Sequence, residues 1–454
     1  MKKCLYLALI AMVAIGCQSD FDDVPQVNLP NKELEAQKFV RSYEDALKIA
    51  EEAVLMIDEI DTRSSQPRRI MRDNGQVVCK PVTRSGETSE EPIMYIFNNE
   101  DNAGFTIVAA DASHPSLIAV TESGNYTYGE PTGAEPFDLL MEDVAKSLII
   151  VPDINLPTKT VKENKRHDPY GPLAHIQWGI GTIYGSLYPD GIAYDEAAAI
   201  AQCLIGYQRD ITYTITNPNS NEYGLSFTIN RRRLSAHFRY DHPIFQYTSC
   251  GNDIHEEIAR LYLEIGYRLS NNTNIDLDNK STSFLLSKVK SVLASFGIST
   301  SNTTSFSGDP ILPRYLGTFI KRKEDMFVFR GTVAGGESMP NGGVAHYWIA
   351  SGFDEYTYDN VTYTLNKVLN PSHPFPNEYT ETGREAVVDY MLYLNWGYDG
   401  ISNGWFHSGC FDMSQRVDNH FEDSIVVGGT TPEYNYNFTN ITFFSQLDPI
   451  ITVQ

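Results

Sequence analysis

Within residues 167–454 the apolar pattern changes period, and that change restricts the fold. Asp195–Tyr207, with three consecutive Ala, few β-branched residues and Asp-Glu at its start, reads as a helix, as do Ile254–Leu269 and Ser283–Phe296. Beyond them, Met326–Arg330, Ala345–Phe353, Val361–Val368, Tyr390–Asn395 and a run around Ile441–Phe444 have the short, β-branched and aromatic character of strands. Helices first and an antiparallel sheet afterwards predict an α+β fold.

A smaller unit of the same class precedes it. Ser42 is a candidate N-cap, and Ala46, Ile49, Ala50, Ala53, Val54 and Ile57 recur along one helical face. Gln76–Lys80, Ile93–Asn98, Gly104–Ala109 and Leu117–Thr121 then read as strands, closed by a turn at Glu122–Asn125. Residues 38–130 therefore form one small helix-plus-sheet domain. Residues 131–166 are assigned as a linker, because the stretch from 152 is rich in Lys, Pro and Asp without a clear period. The chain of 454 residues is 42% hydrophobic, enough for two packed cores. Its formal charge of −23 disfavours a nucleic-acid partner, which needs a cationic face.

The first residues read as an address. Lys2 and Lys3 precede a short apolar stretch from Leu5 to Ile15, too short to span a bilayer as a helix. Ala14-Ile15-Gly16-Cys17 resembles the cleavage box of bacterial lipoproteins, which implies a signal peptide over residues 1–16 and lipidation of Cys17. Residues 17–37 are polar and acidic and read as a tether. The expected location is the outer membrane, on the cell surface, held by the lipid anchor.

The ten His and six Cys show no C-x-x-C, no H-E-x-x-H and no EF-hand loop, so neither a metal nor another cofactor is expected. The informative residues lie in the C-terminal sheet. His346 heads the apolar strand Ala345–Phe353, and Asn395-Trp396-Gly397 ends another before a glycine-rich aromatic stretch. An Asn at a strand end can orient an imidazole, with the neighbouring Trp shielding the bond from water, as in Cys–His–Asn peptidases. The same pattern also fits a packed aromatic hairpin with a buried histidine.

These two blocks resemble the streptopain family of cysteine peptidases, which carries Gly-His-Ala-aromatic and, later, Asn-Trp-Gly-Trp-Gly-Gly. Trp178–Gly185 and Tyr194–Gln202 are similar to that family's oxyanion and nucleophile segments. Asn102–Asp111 and Ile118–Gly124 are similar to its inhibitory prodomain. The resemblance implies a papain-like peptidase domain over residues 167–454 and a prodomain or inhibitor-like domain over 38–130. His346 then stands at the catalytic histidine, with Asn395 and Trp396 at the orienting Asn-Trp.

Two positions depart from the family. The nucleophilic cysteine falls on Asp195, and the glutamine that helps form the oxyanion hole falls on Ile180. A carboxylate at a helix N-terminus is favoured by the same dipole that activates a thiolate. It is a poor nucleophile toward an amide, because the anhydride it would form collapses back by expelling the carboxylate. Ile180 offers no side-chain donor, and losing one oxyanion donor costs about 10²–10³ in rate. The expectation is an inactive pseudopeptidase that binds a polypeptide or a protease. Alternatives are an active peptidase using Cys203 or Cys250, a water-activating Asp195–His346 pair, and a protease inhibitor acting through residues 38–130.

Overall fold

The computed structural model describes residues 40–60, 67–84, 87–112, 114–148, 158–173, 176, 178–181, 184–188, 191–206, 210–230, 252–270, 286–298, 300–302, 320–321, 326–332, 345–367, 377–407, 446–447 and 451–453. Cys17, the tether, Cys250 and the run around Ile441–Phe444 lie outside the described residues.

The architecture is α+β. Helix α1 (Tyr43–Ile60) begins where the Ser42 hydroxyl accepts a hydrogen bond from the Asp45 amide, and it buries Ala46, Ala50, Ala53, Val54 and Ile57 along one face. Strands β1 (Gln76–Arg84), β2 (Glu87–Asn98), β3 (Phe105–Ala109) and β4 (Leu117–Thr121) follow as an antiparallel meander. Every residue of β3 and β4 is buried, so this sheet is covered on both faces.

Helix α2 (Glu135–Ser147) falls inside the stretch assigned as linker. Phe137, Leu140, Met141 and Val144 are spaced for one helical face, and all four are buried. The same stretch also holds β5 (Thr158–Arg166). This strand has no apolar period; its order comes from pairing with a longer strand of the C-terminal sheet.

The C-terminal half contributes β6 (Pro169–Tyr170), α3 (Asp195–Gly206), β7 (Ile211–Thr214), β8 (Ser226–Ile229), α4 (Asn252–Leu269) and α5 (Leu286–Ser295). Then come β9 (Thr300–Asn302), β10 (Met326–Thr332), β11 (Ala345–Lys367), β12 (Asn377–Asn395), β13 (Gly404–His407), β14 (Gln446–Leu447) and β15 (Ile451–Val453). Helix α3 is buried at every position from Glu196 to Gly206. It shares a core with Leu261, Tyr262 and Ile265 of α4, Val289 and Val292 of α5, and Met326, Val328, Tyr347 and Ile349 of the sheet.

The strands expected at Ala345–Phe353 and Val361–Val368 are parts of one element. β11 runs unbroken through Asp354–Asn360 because β12 pairs with it on one side, and β5 and β6 pair on the other. Two buried acids in that stretch have partners. Asp354 accepts from the Asp168 amide and pairs with His167 Nδ1 at 2.6 Å; Asp359 pairs with Arg384 at 2.9 Å.

Among the described residues, one sheet of thirteen strands unites the two halves. The link is β4 against β13, with Gly404 opposite Thr121, Trp405 opposite Val120 and Phe406 opposite Ala119.

Candidate functional site

The site forms where the N-terminus of α3, the start of β11 and the end of β12 converge. Asp195 opens α3, where a carboxylate complements the helix dipole. His346 is the second residue of β11, opposite Gly331 of β10. The pair closes at 2.8 Å between Asp195 Oδ2 and His346 Nδ1. The His346 side chain is 4% exposed and that of Asp195 16%.

Burial of the His346 ring is the largest single influence on its protonation, and it works against the imidazolium. The hydrogen bond and charge of Asp195, helped by Glu135 and Glu196, outweigh it, so the pKa lies above the ordinary histidine value. Glu135 belongs to α2, so the N-terminal half contributes to the field at the site.

The bonds shown for Asn395 run elsewhere. Its side-chain nitrogen donates to the Ile176 carbonyl at 2.6 Å, and its oxygen accepts from Gln202 Nε2 at 2.9 Å and from the Gly397 amide at 3.1 Å. Trp396 is fully buried, its indole N–H donating to the Ser402 carbonyl. Its ring lies against Trp348, Phe406 and Phe137 of α2, with centroids 5.6, 5.3 and 6.4 Å away.

Ile180 is drawn into the same junction through its backbone. Its amide donates to the Gly397 carbonyl at 3.0 Å, and its carbonyl accepts from the Ala193 amide at 3.0 Å. The side chain is half-buried against the helical core and offers no hydrogen bond to a reacting group. The structure thus brings Ile180, Asp195, Asn395 and Trp396 into one network of segments, with His346 joined to it through Asp195.

Cys203 lies eight positions along α3 from Asp195, fully buried, its thiol pushed up in pKa by that burial. A stable thiol of this kind is a packing residue. Among the described residues, no group of three His, Cys, Asp or Glu side chains could hold a metal, and no helix is long and apolar enough to cross a membrane.

Two residues of the site carried no expected role. Gln202 ties α3 to Trp178 and Asn395; its signal was a lone carboxamide in an otherwise apolar helix face. Asp399 adopts a left-handed φ of 53°, and its carboxyl group fills the space that side chains at Gly179 and Gly181 would need. Burial pushes its pKa up to about 6. The two glycines flanking Ile180 hint at a close approach but do not name what approaches.

Residues 35–147 match the family model of the Spi protease inhibitors, a stretch that takes in α1, β1–β4 and α2. Among solved structures, the chain is similar to a fragment of Prevotella intermedia prointerpain A in which a cysteine is replaced by alanine. The two are 15% identical, the match covers 84% of this chain and 98% of that one, and the TM-score is 0.40. No curated protein matches the chain.

Proposed function

We propose that this protein is a streptopain-like pseudopeptidase: a peptidase-type domain without peptidase activity, fused behind an inhibitor-like domain and used to bind a polypeptide or a protease. The observation that carries the reading is the 2.8 Å bond from Asp195 Oδ2 to His346 Nδ1. A carboxylate sits on the imidazole nitrogen where a peptidase of this kind needs a thiol. The pair can hold a proton, yet acyl transfer to the carboxylate would give an anhydride that returns to starting material. Ile180 adds a second deficit, since its side chain cannot donate to an oxyanion and its backbone N–H is already bonded to Gly397.

The test is turnover of denatured casein, with and without a thiol-alkylating reagent. The reading expects no turnover. Hydrolysis abolished by the reagent would overturn it and would point to a cysteine nucleophile such as Cys250. Lipidation of Cys17 and display on the outer membrane belong to the same proposal. They are supported by the Ala-Ile-Gly-Cys box, and a Cys17→Ser variant should lose incorporation of labelled palmitate.

A second reading is protease inhibition, favoured by the family match over residues 35–147. Titrating the full chain against a streptopain-type peptidase addresses it; inhibition at micromolar concentration supports it, and none at that level rejects it.

A further inference from the structure

The seam between the two halves has the character of a protein interior. Paired residues of β4 and β13 alternate between the two faces of the sheet, as the period of a strand requires. On one face Ala119 and Phe406 join a core with Phe137, Leu140, Met141 and Val144 of α2 and with Trp348 and Trp396. On the other face Val120 and Trp405 join Ala53, Met56 and Ile57 of α1 together with Tyr356, Met391 and Tyr393.

Each helix of the inhibitor-like half thus packs in part against aromatic residues of the other half, α1 through Ala53, Met56 and Ile57 and α2 through Phe137, one helix on each side of the sheet, while Ala46 and Ala50 of α1 pack on Tyr95 and Phe97 of their own half. Polar groups are matched across the seam as well. Tyr393 donates its hydroxyl to Glu122 at 2.9 Å, the Glu122 amide donates to the Asn403 carbonyl, and Ser123 donates to the Gly400 carbonyl. Gly404 has no side chain at the point where a Cβ would strike the Val120 carbonyl oxygen. Pulling the halves apart would expose Trp405, Phe406 and Trp396 and leave β4 and β13 each with one open edge.

We infer that the inhibitor-like half is a permanent part of a single cooperative fold, joined in cis to the C-terminal half, and not a segment that is released. The free edge of β4 and the apolar residues of α1 and α2 beside it are covered by the chain's own β12–β13 region. This inference is independent of whether the Asp195 site is inert.

The experiment is to place a protease recognition sequence between α2 and β5, cut the folded full-length chain there, and examine it in native buffer. The two fragments should co-elute in equal amounts and unfold together in one thermal transition. Separation of the fragments, or two distinct transitions, would overturn the inference. Native-state hydrogen exchange on the uncut chain keeps the test decisive if the insertion disturbs folding. The amides of Leu117–Thr121 and Gly404–His407 should fall in the slowest class, with rates within about threefold of the amides of α3. Exchange at the seam a hundredfold faster than in α3 would reject a single unit.

Discussion

Gln202 donates its side-chain amide from α3 to the Asn395 oxygen at 2.9 Å, and the same nitrogen lies 2.6 Å from the Trp178 carbonyl. Three segments distant in sequence are fixed to one another by this one carboxamide, on the helix that Asp195 opens. Replacing it with Leu keeps the approximate size and leaves the Trp178 carbonyl without that donor. Such a buried loss costs about 1–3 kcal/mol. Urea unfolding of Gln202→Leu should report a destabilisation of that size with an unchanged slope; no change would mean that the bond contributes nothing net.

His346 makes stability depend on pH in a definite direction. Its pKa is raised in the folded protein, so the contribution is fully present below the unfolded histidine value of about 6.5 and is lost as pH rises through the folded value. Asp195→Asn removes the charge that raises it and leaves the burial that lowers it. NMR titration of the ring should show its pKa falling in the variant. The stability gap between wild type and variant should narrow from pH 5.5 to pH 8.5.

Asp399 shifts stability with pH in the same direction, at lower pH and through burial instead of a charged partner. A carboxyl group whose pKa burial raises to about 6 favours the fold when protonated. That contribution is present below the unfolded value near 3.9 and is lost as pH rises to about 6. Asn tolerates the left-handed φ and carries no charge. Asp399→Asn should therefore stabilise the protein at pH 8 by on the order of 2 kcal/mol and flatten the stability curve between pH 4 and 6. A loss of stability at pH 8 would show that the ionised carboxylate is a needed partner.

The pseudopeptidase proposal makes a prediction for a thiol at position 195. Asp195→Cys puts sulfur beside the His346 ring, and the single change should alkylate readily yet show weak turnover or none. Adding Ile180→Gln places a side-chain donor at the position the proposal gives to the oxyanion, worth about 10²–10³ in rate where such a donor is aimed at the oxyanion. The double variant should cleave a fluorogenic casein substrate faster than either single one. Equal activity of the double variant and Asp195→Cys would place the deficit elsewhere.

The helices around the site were legible in the sequence because their order is local. Asp195 does open α3, and the apolar period of 254–269 lies within Asn252–Leu269 as found. Helix α2 was missed, its stretch being assigned as linker, although Phe137, Leu140, Met141 and Val144 stand at helical spacing. What local pattern could not reveal was pairing at long range. The lysine-rich Thr158–Arg166 has the charged character of an edge strand and takes its ladder partner from β11. Asp354 and Asp359 fell between two expected strands, because their partners, His167 and Arg384, lie far off in sequence or on another strand. Asn395 was placed by its motif, while its bonds to Gln202, Gly397 and Ile176 depend on three separate segments meeting.

The pairing of β5 with β11 also sets a leash. Val161 faces Val361 across that ladder, and Glu163 is clipped by Arg384 at 2.7 Å, so the connection is already anchored by Thr158. Only residues 149–157 separate that anchor from the end of the α2 segment, a reach of at most about 36 Å when fully extended. Over so short a path the inhibitor-like half confronts its neighbour at an effective concentration on the order of millimolar. An outside protein competing for the covered aromatic face would have to outbid a rival that never diffuses away.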